Sequence, residues 1–232
     1  MTTAITDPDG RTALLRLLTW LSPAFPIGAF SYSHGVETAI NAGVIQSAET
    51  AKEWLQGVLN HGSGWNDLLV LGQSHAAATE NDSARLAEVN SLCLAMAPSA
   101  ERYLETQRQG TAFLTYAQPW IGQSDPMAAA VGKSAALPVA VGLAAARTHI
   151  PLEELKLGYL QSFTSNLVSV CLRLVPLGQS EGVQLLADLE QTFINLTERS
   201  QGATLDALGS AAILSDIASM AHETEPTRIF RS

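Results

Sequence analysis

Residues 152–176, LEELKLGYLQSFTSNLVSVCLRLVP, carry a helical pattern that guides the interpretation of the whole chain. Their apolar side chains recur at helical spacing over about six turns. Leu157, Val168 and Leu172 lie outside this apolar stripe, so such a helix has few faces left for water. The pattern predicts a central apolar helix that ends at Pro176, because proline cannot continue a helix.

Segments on both sides of this helix repeat the pattern in shorter pieces. A short helix is expected from Ser33 to Asn41, closed by Gly43. The stretch Glu101–Gln109 is rich in charge and predicts the most solvated helix, and the last helix is expected from Ala203 to Met220. No segment alternates as a strand would. We therefore expect an all-α fold, a single-domain bundle of about nine or ten helices around the central helix.

Composition limits the classes of function. Apolar residues make up 47% of the 232 residues and charged residues 15%, which indicates that part of the surface is covered in an oligomer or a complex. The net charge of −9 argues against nucleic-acid binding. No apolar run reaches the roughly 20 residues of a membrane span, and Cys93 and Cys171 lie in apolar runs typical of reduced core cysteines. A cytoplasmic protein is expected, with one domain over residues 1–232 and a flexible N-terminus at residues 1–10.

Residues 22–37, SPAFPIGAFSYSHGVE, interrupt the helical pattern. Two prolines exclude a helix through this segment, and Gly28 supplies backbone freedom. Phe25, Ile27 and Phe30 are too apolar for an ordinary surface loop. The segment is therefore expected to pack against the protein's own core or against a partner.

The C-terminal residues 222–232, HETEPTRIFRS, form a second exception. The simplest interpretation is a frayed terminus. However, Arg228 and Arg231 flank Ile229 and Phe230, and arginine and aromatic side chains are enriched in interfaces. Both interpretations stay open on the residues alone.

Candidate catalytic and metal-binding patterns are weak. The residues VGKS at 131–134 resemble the end of a phosphate-binding loop, but Met127 occupies the position of the required first glycine. No two histidines are three or four residues apart, so no ligand pair is preformed on one helix face. No G-x-S-x-G nucleophile motif occurs. These observations favour a protein that is not an enzyme.

Two of the quoted segments carry a resemblance to a known family. PIGAFSYSHGVE at 26–37 resembles the P-[IVT]-G-x-[FY]-x-x-S-x-G-[LV]-E signature of the urease accessory protein F family (UreF). MAHETEPTRIFRS at 220–232 is similar to that family's C-terminal ending, and the helix with SFTSNLV resembles its central helix. One departure is Phe30, where family members often carry tyrosine, so this chain has no phenol hydroxyl at that position.

The resemblance implies a non-catalytic, all-α, dimeric accessory protein required for urease maturation. Such a protein binds the UreD (also called UreH) accessory protein, recruits and regulates the UreG GTPase, and docks on apo-urease for nickel insertion. It holds no cofactor itself, since the complex handles nickel and GTP. The residues that the resemblance marks for partner binding, with residues 222–232 as a partner-binding tail, are Pro26, Gly28, Phe30, Ser33, Glu37, Arg173, Arg228, Phe230 and Arg231.

The residue types suggest how the two segments act. We expect them to pack together, with Arg228 against main-chain carbonyls or a carboxylate such as Glu37 and with Phe230 in an apolar pocket. In one version of this hypothesis the tail becomes ordered only when UreD binds. Arg173, a charge in an apolar helix, is either paired structurally or lies at the UreG interface or along a nickel route.

Two alternatives from other classes stay open. The first is a metallochaperone that binds nickel directly through His34 or His222. The second is an all-α hydrolase whose catalytic groups the sequence does not display. Nickel titration of the isolated protein distinguishes the first alternative from the scaffold.

Overall fold

The computed structural model describes residues 10–232, and over that range the chain is helical without β-strands, which confirms the predicted all-α class. The expectation of a flexible N-terminus falls, apart from Gly10, outside the described residues. Two short 3-10 helices span Ala29–Ser31 and Leu205–Ala207. The eleven α-helices of the described residues are α1 (Arg11–Trp20), α2 (Val36–Asn41), α3 (Ala48–His61), α4 (Ser63–Glu80), α5 (Ser83–Ala95), α6 (Ala100–Ile121), α7 (Pro126–Val131), α8 (Leu137–Arg147), α9 (Leu152–Leu174), α10 (Gln179–Arg199) and α11 (Ile213–His222).

The core consists of two hydrophobic clusters that share α9. The first cluster joins α4, α6 and α8, and α9 adds Leu155 and Tyr159 to it. The second cluster joins α2, α3 and α10, and α9 adds its C-terminal half from Leu160 onward. The apolar stripe predicted on α9 therefore faces both clusters, which is why few of its faces are left for water.

The most completely buried helix is α8, which is rich in alanine and glycine. Every residue from Pro138 to Ala146 is buried. Two glycines allow this close packing. A Cβ at Gly142 would lie 2.6 Å from the Leu71 main-chain oxygen, and one at Gly110 of α6 would lie 2.2 Å from the Ala135 oxygen. Helix α8 can thus pack between α4 and α6 only because side chains are missing at these points.

The structure corrects two predicted boundaries. Helix α2 begins at Val36 instead of Ser33, because His34 and Gly35 adopt left-handed backbone angles (φ 59° and 78°) that a helix cannot contain. The last helix begins at Ile213 instead of Ala203. The preceding loop is held on α4, where Trp65 Nε1 donates to the Ala207 oxygen at 2.9 Å.

The prediction of a solvated helix at Glu101–Gln109 is wrong. This stretch begins the long helix α6, in which Glu105 and Gln109 are buried. Charge could be buried here because Glu105 pairs with Arg102 one turn away on the same helix. Charge content alone could not reveal this, since Glu105 also has neighbours from distant segments, His34 and Ser232.

Candidate functional site

The tail, residues 222–232, packs against the loop between α1 and α2. Main-chain hydrogen bonds join the two segments, from Arg231 N to the Ser31 oxygen at 2.8 Å and from Ser33 N to the Ser232 oxygen at 2.9 Å. The Ser33 hydroxyl contacts the same Ser232 oxygen. The structure thus brings together two segments that lie about 190 residues apart in the sequence.

The loop reaches the tail through a sharp turn at His34–Gly35. Both residues have left-handed backbone angles, which glycine adopts readily and histidine rarely. A Cβ at Gly35 would lie 2.9 Å from the Ser219 nitrogen of α11, so only glycine lets α11 approach this closely. A non-glycine residue in this backbone region is often found where function or packing imposes it.

Glu37 is the main acceptor for the tail. Its Oε1 accepts from Ile229 N at 2.8 Å and its Oε2 accepts from Phe230 N at 2.9 Å. The carboxylate is buried, so these amides replace the water that it would otherwise bind. Hydrogen bonds to a charged acceptor are worth about 1.5–3 kcal/mol each. Glu37 therefore holds the tail backbone in a defined position.

Arg228 pairs with a carboxylate other than the one proposed from the sequence. Its Nη1 contacts Glu101 of α6, and the His222 oxygen accepts from it at 3.5 Å. Glu37 is already occupied by the tail amides, which explains why it does not pair with Arg228. His222 lies between the two acids, with Nδ1 2.6 Å from Glu101 Oε2 and Nε2 3.2 Å from Glu37 Oε2.

Phe230 is the apolar anchor of the tail. Its side chain is buried within the second hydrophobic cluster. The Arg173 guanidinium lies 5.6 Å from the ring centroid, a distance at which a cation is attracted to an aromatic ring. Arg173 Nη1 also donates to the Phe30 main-chain oxygen at 3.4 Å. Arg173 therefore links the tail to the loop while its own side chain stays exposed.

The outer surface of this assembly is partly apolar. Ile229 is 70% exposed and Phe30 is 59% exposed. Pro26 and Arg231 are exposed as well, and Gly28 has a left-handed φ of 74° where it begins the 3-10 helix that carries Phe30. We call the surface formed by Pro26, Phe30, Arg173, Ile229 and Arg231 the tail surface. Ser33, Glu37 and Phe230 are buried beneath it and support it.

A cavity of about 400 Å³ lies beside the tail surface. Its lining runs from Phe30 and Arg173 to the half-buried Arg102 and the buried Glu105, and it includes aromatic side chains such as Trp20. The tail reaches the buried end of this lining, because the Ser232 hydroxyl donates to Glu105 Oε2 at 2.6 Å.

Ionisable groups near the cavity perturb one another's pKa values. Burial and then the Arg102 charge lower the pKa of His34 to about 4. Burial disfavours ionisation of Glu105, but the charges and hydrogen bonds of Arg102 and His34 outweigh it, so the pKa of Glu105 is lowered. Burial raises the pKa of Asp67 to about 6, although the Tyr159 hydroxyl donates to its Oδ2 at 2.7 Å.

Sequence reasoning missed the contribution of α6 to this site. Glu101, Arg102 and Glu105 all contact the tail or its neighbours, although the charge content of this stretch predicts a solvated helix. Glu101 and Glu105 are four residues apart and so share a helix face. That spacing was the available signal, but it does not say whether the face is buried.

The candidate metal ligands are engaged elsewhere. Both ring nitrogens of His222 face carboxylates, and His34 Nε2 lies 2.7 Å from the Ser63 hydroxyl. Among residues 10–232 no group of three or more His, Cys, Asp or Glu side chains is arranged to hold a metal ion.

The same part of the chain contains no helix that is both long and apolar enough to cross a membrane.

Comparison with known proteins gives a consistent result. A family model described as UreF matches residues 45–190. A urease accessory protein UreF of Rhodopseudomonas palustris (strain BisA53) is 45% identical over 99% of this chain and 100% of its own length. A protein of the same name from Bradyrhizobium sp. (strain ORS 278) is 47% identical over 95% of this chain and 92% of its own length. A third, from Mesorhizobium japonicum, is 42% identical over 98% of this chain and 100% of its own.

Proposed function

The chain belongs to the UreF family of urease accessory proteins, and we propose that it acts as a scaffold that binds UreD and recruits the UreG GTPase for nickel insertion into apo-urease. In this proposal the protein is a cytoplasmic homodimer without a cofactor of its own, and UreG performs the nucleotide chemistry. The observation that carries the proposal is the tail surface, an exposed apolar and basic patch supported by a buried polar network.

The tail surface has the composition of a protein-binding site. Isolated apolar side chains are common on protein surfaces, but Phe30 and Ile229 are presented on segments joined by direct hydrogen bonds. Arg173 and Arg231 add the residue type that anchors interfaces. Their positive charge stands out on a chain with net charge −9, which favours a partner with acidic and apolar groups.

Arg228 supports this surface from behind. It joins the tail to Glu101 of α6, and Glu37 holds the two residues that follow it. Loss of the Arg228 side chain would leave Glu101 and His222 with one fewer partner and would loosen the tail. We expect UreD binding to depend on Arg228 for that reason.

The test is a pull-down with Arg228→Ala. The variant should lose UreD and consequently UreG, while its far-ultraviolet circular dichroism matches that of the unmodified protein. Arg85→Ala is a matched control. Arg85 lies on α5 and pairs with Glu80 at the end of α4, so its ion pair does not involve the tail. Capture of both partners by Arg228→Ala at the level of the control would refute the proposed role of the tail.

Arg173 tests whether the tail surface extends toward UreG. Its contacts to Phe230 and Phe30 support a structural role, and its exposure allows a second role at an interface. Arg173→Glu should reduce urease activation in cells that express all accessory proteins, and Arg173→Lys should retain more activity. Full urease activation by Arg173→Glu would show that Arg173 has no role at the interface with UreG.

Direct nickel binding is the competing function. Calorimetric titration of the isolated protein with Ni²⁺ should give no micromolar binding if the scaffold proposal holds, since the ring nitrogens of His34 and His222 are engaged or buried. Micromolar binding that disappears in His222→Ala would favour a metallochaperone instead.

A further inference from the structure

Ser232 lies inside the protein rather than on the tail surface. Its side chain is fully buried, and its oxygen accepts from Ser33 N at 2.9 Å. The His34 main-chain nitrogen donates to the Ser232 hydroxyl at 3.4 Å. That hydroxyl donates to Glu105 Oε2 at 2.6 Å. Docking of the tail therefore adds a hydrogen-bond donor to a carboxylate on α6.

Glu105 connects this contact to the cavity. Its Oε2, the atom that accepts from Ser232, also pairs with Arg102 Nη1. The Arg102 side chain is almost buried and lines the 400 Å³ cavity, and neither its Nε nor its Nη1 makes a hydrogen bond of regular geometry. Within residues 10–232, the ion pair with Glu105 is therefore the contact that positions the Arg102 guanidinium.

We propose that docking of the tail positions Arg102 in the cavity lining through Ser232 and Glu105, so that release of the tail rearranges the cavity. The inference builds on the proposed tail surface, because a partner that binds there would also act on the cavity. It does not require a partner in order to be tested.

The physical reason is the burial of the network. A carboxylate removed from water needs most of its acceptor positions filled, and loss of one charge-assisted donor disfavours the arrangement by about tenfold or more. Glu105 has a limited set of neighbours that could replace Ser232, namely His34 from the loop, with Nδ1 at 3.8 Å, and Gln109 from α6, with Nε2 at 3.4 Å. Asp67 on α4 carries the other carboxyl group of the cavity lining. Glu105 is therefore expected to turn when the tail leaves, and Arg102 to move with it.

Nuclear magnetic resonance of the full chain tests this inference. The arginine Nε–H resonance of Arg102, assigned with Arg102→Lys, reports its environment and its exchange with solvent. Two variants disturb the tail by independent routes. Ser232→Ala removes the donor to Glu105, whereas Glu37→Gln weakens the acceptor for Ile229 and Phe230 without contacting Arg102. Thr227→Ala changes an exposed side chain of the same tail and serves as the control.

Both tail variants should shift the Arg102 resonance and speed its solvent exchange by about tenfold or more, and Thr227→Ala should leave both unchanged. Amide exchange at residues 229–231 shows whether the tail has been released. An Arg102 signal that stays unchanged when Glu37→Gln releases the tail would overturn the inference, even if Ser232→Ala alters it locally. UreD capture by the same variants tests the proposed function. Its result does not change the conclusion drawn from the Arg102 signal.

Discussion

The interface between α6 and α8 and the docking site of the tail are built on the same helix by opposite means. Toward α8, helix α6 presents Gly110, and the contact depends on shape and on a missing side chain. Toward the tail, it presents Glu101 and Glu105, and the contact depends on a few hydrogen-bonded charges. The first kind of contact tolerates little change in volume. The second kind of contact can be weakened by the loss of a single hydrogen bond or ion pair, a property expected of a segment that responds to a partner.

Gly110→Val should have the largest effect, because it tests the shape-dependent contact. A Cβ at this position would lie 2.2 Å from the Ala135 oxygen, so α8 would have to move. We expect a loss of more than about 4 kcal/mol of unfolding free energy, or no soluble protein. Urea unfolding followed by circular dichroism measures this. Gly57→Ala on α3 is the control, since a Cβ there meets no atom within 4 Å. A Gly110→Val midpoint equal to that of the control would contradict the account of α8.

Phe230→Ala should have the next largest effect and should be confined to the tail. Removing a buried phenylalanine side chain costs about 3–5 kcal/mol at its site. Because Phe230 is in the second cluster and α8 is in the first, the exchange of the α8 amides should change little. Hydrogen exchange of residues 228–232 should accelerate at least about a hundredfold. Equal acceleration in the tail and in α8 would show that the two regions are not separable.

Asp67→Asn should show a moderate, pH-dependent effect between the two regions. An acid whose pKa is raised on folding, here from 3.8 to about 6, stabilises the fold below its unfolded pKa and loses that contribution as the pH rises through about 6. Asparagine cannot ionise, so the variant should gain about 1.4 kcal/mol of unfolding free energy relative to the unmodified protein between pH 5 and pH 7.5.

Urea unfolding of both proteins at the two pH values gives this difference, and shared contributions such as that of His34 cancel. Glu105 contributes little to the change of stability between pH 5 and pH 7.5. Its pKa is lowered on folding, so it stabilises the fold above its unfolded pKa and loses that contribution only at lower pH. A stability difference that is the same at pH 5 and pH 7.5 would show that the pKa of Asp67 is not raised in the folded protein.

Ile229→Ala should have the smallest effect on stability and a clear effect on partner capture. The side chain is 70% exposed, so the unfolding midpoint and the tail exchange rates should match those of the unmodified protein. UreD capture should nevertheless weaken, since Ile229 is part of the tail surface. Unchanged capture together with unchanged stability would remove this residue from the proposed interface.

The helical class and most helix positions could be read from periodicity and capping. Helix α9 ends at Leu174, ahead of Pro176, and α2 is followed by Gly43 with a φ of 72°, as the sequence rules predict. The two unusual segments were also recognisable. Prolines and glycines interrupt the helical pattern in the first, and two arginines flank an apolar pair after Pro226 in the second. These features are local, so neighbouring residues are sufficient to specify them.

Other features depended on contacts between distant residues. Nothing near Glu101 or Glu105 in the sequence shows that the tail covers them, and nothing near Arg228 shows that Glu37 is already taken by main-chain amides. The burial of α8 likewise depends on glycines in α6 and in α8 itself that face particular carbonyl oxygens. Periodicity tells which face of a helix is apolar, but a charged face becomes a binding site only when the fold supplies its partners and removes its water. For this chain the residues specified the helices and the two exceptional segments, and the folded arrangement decided which carboxylates hold the tail.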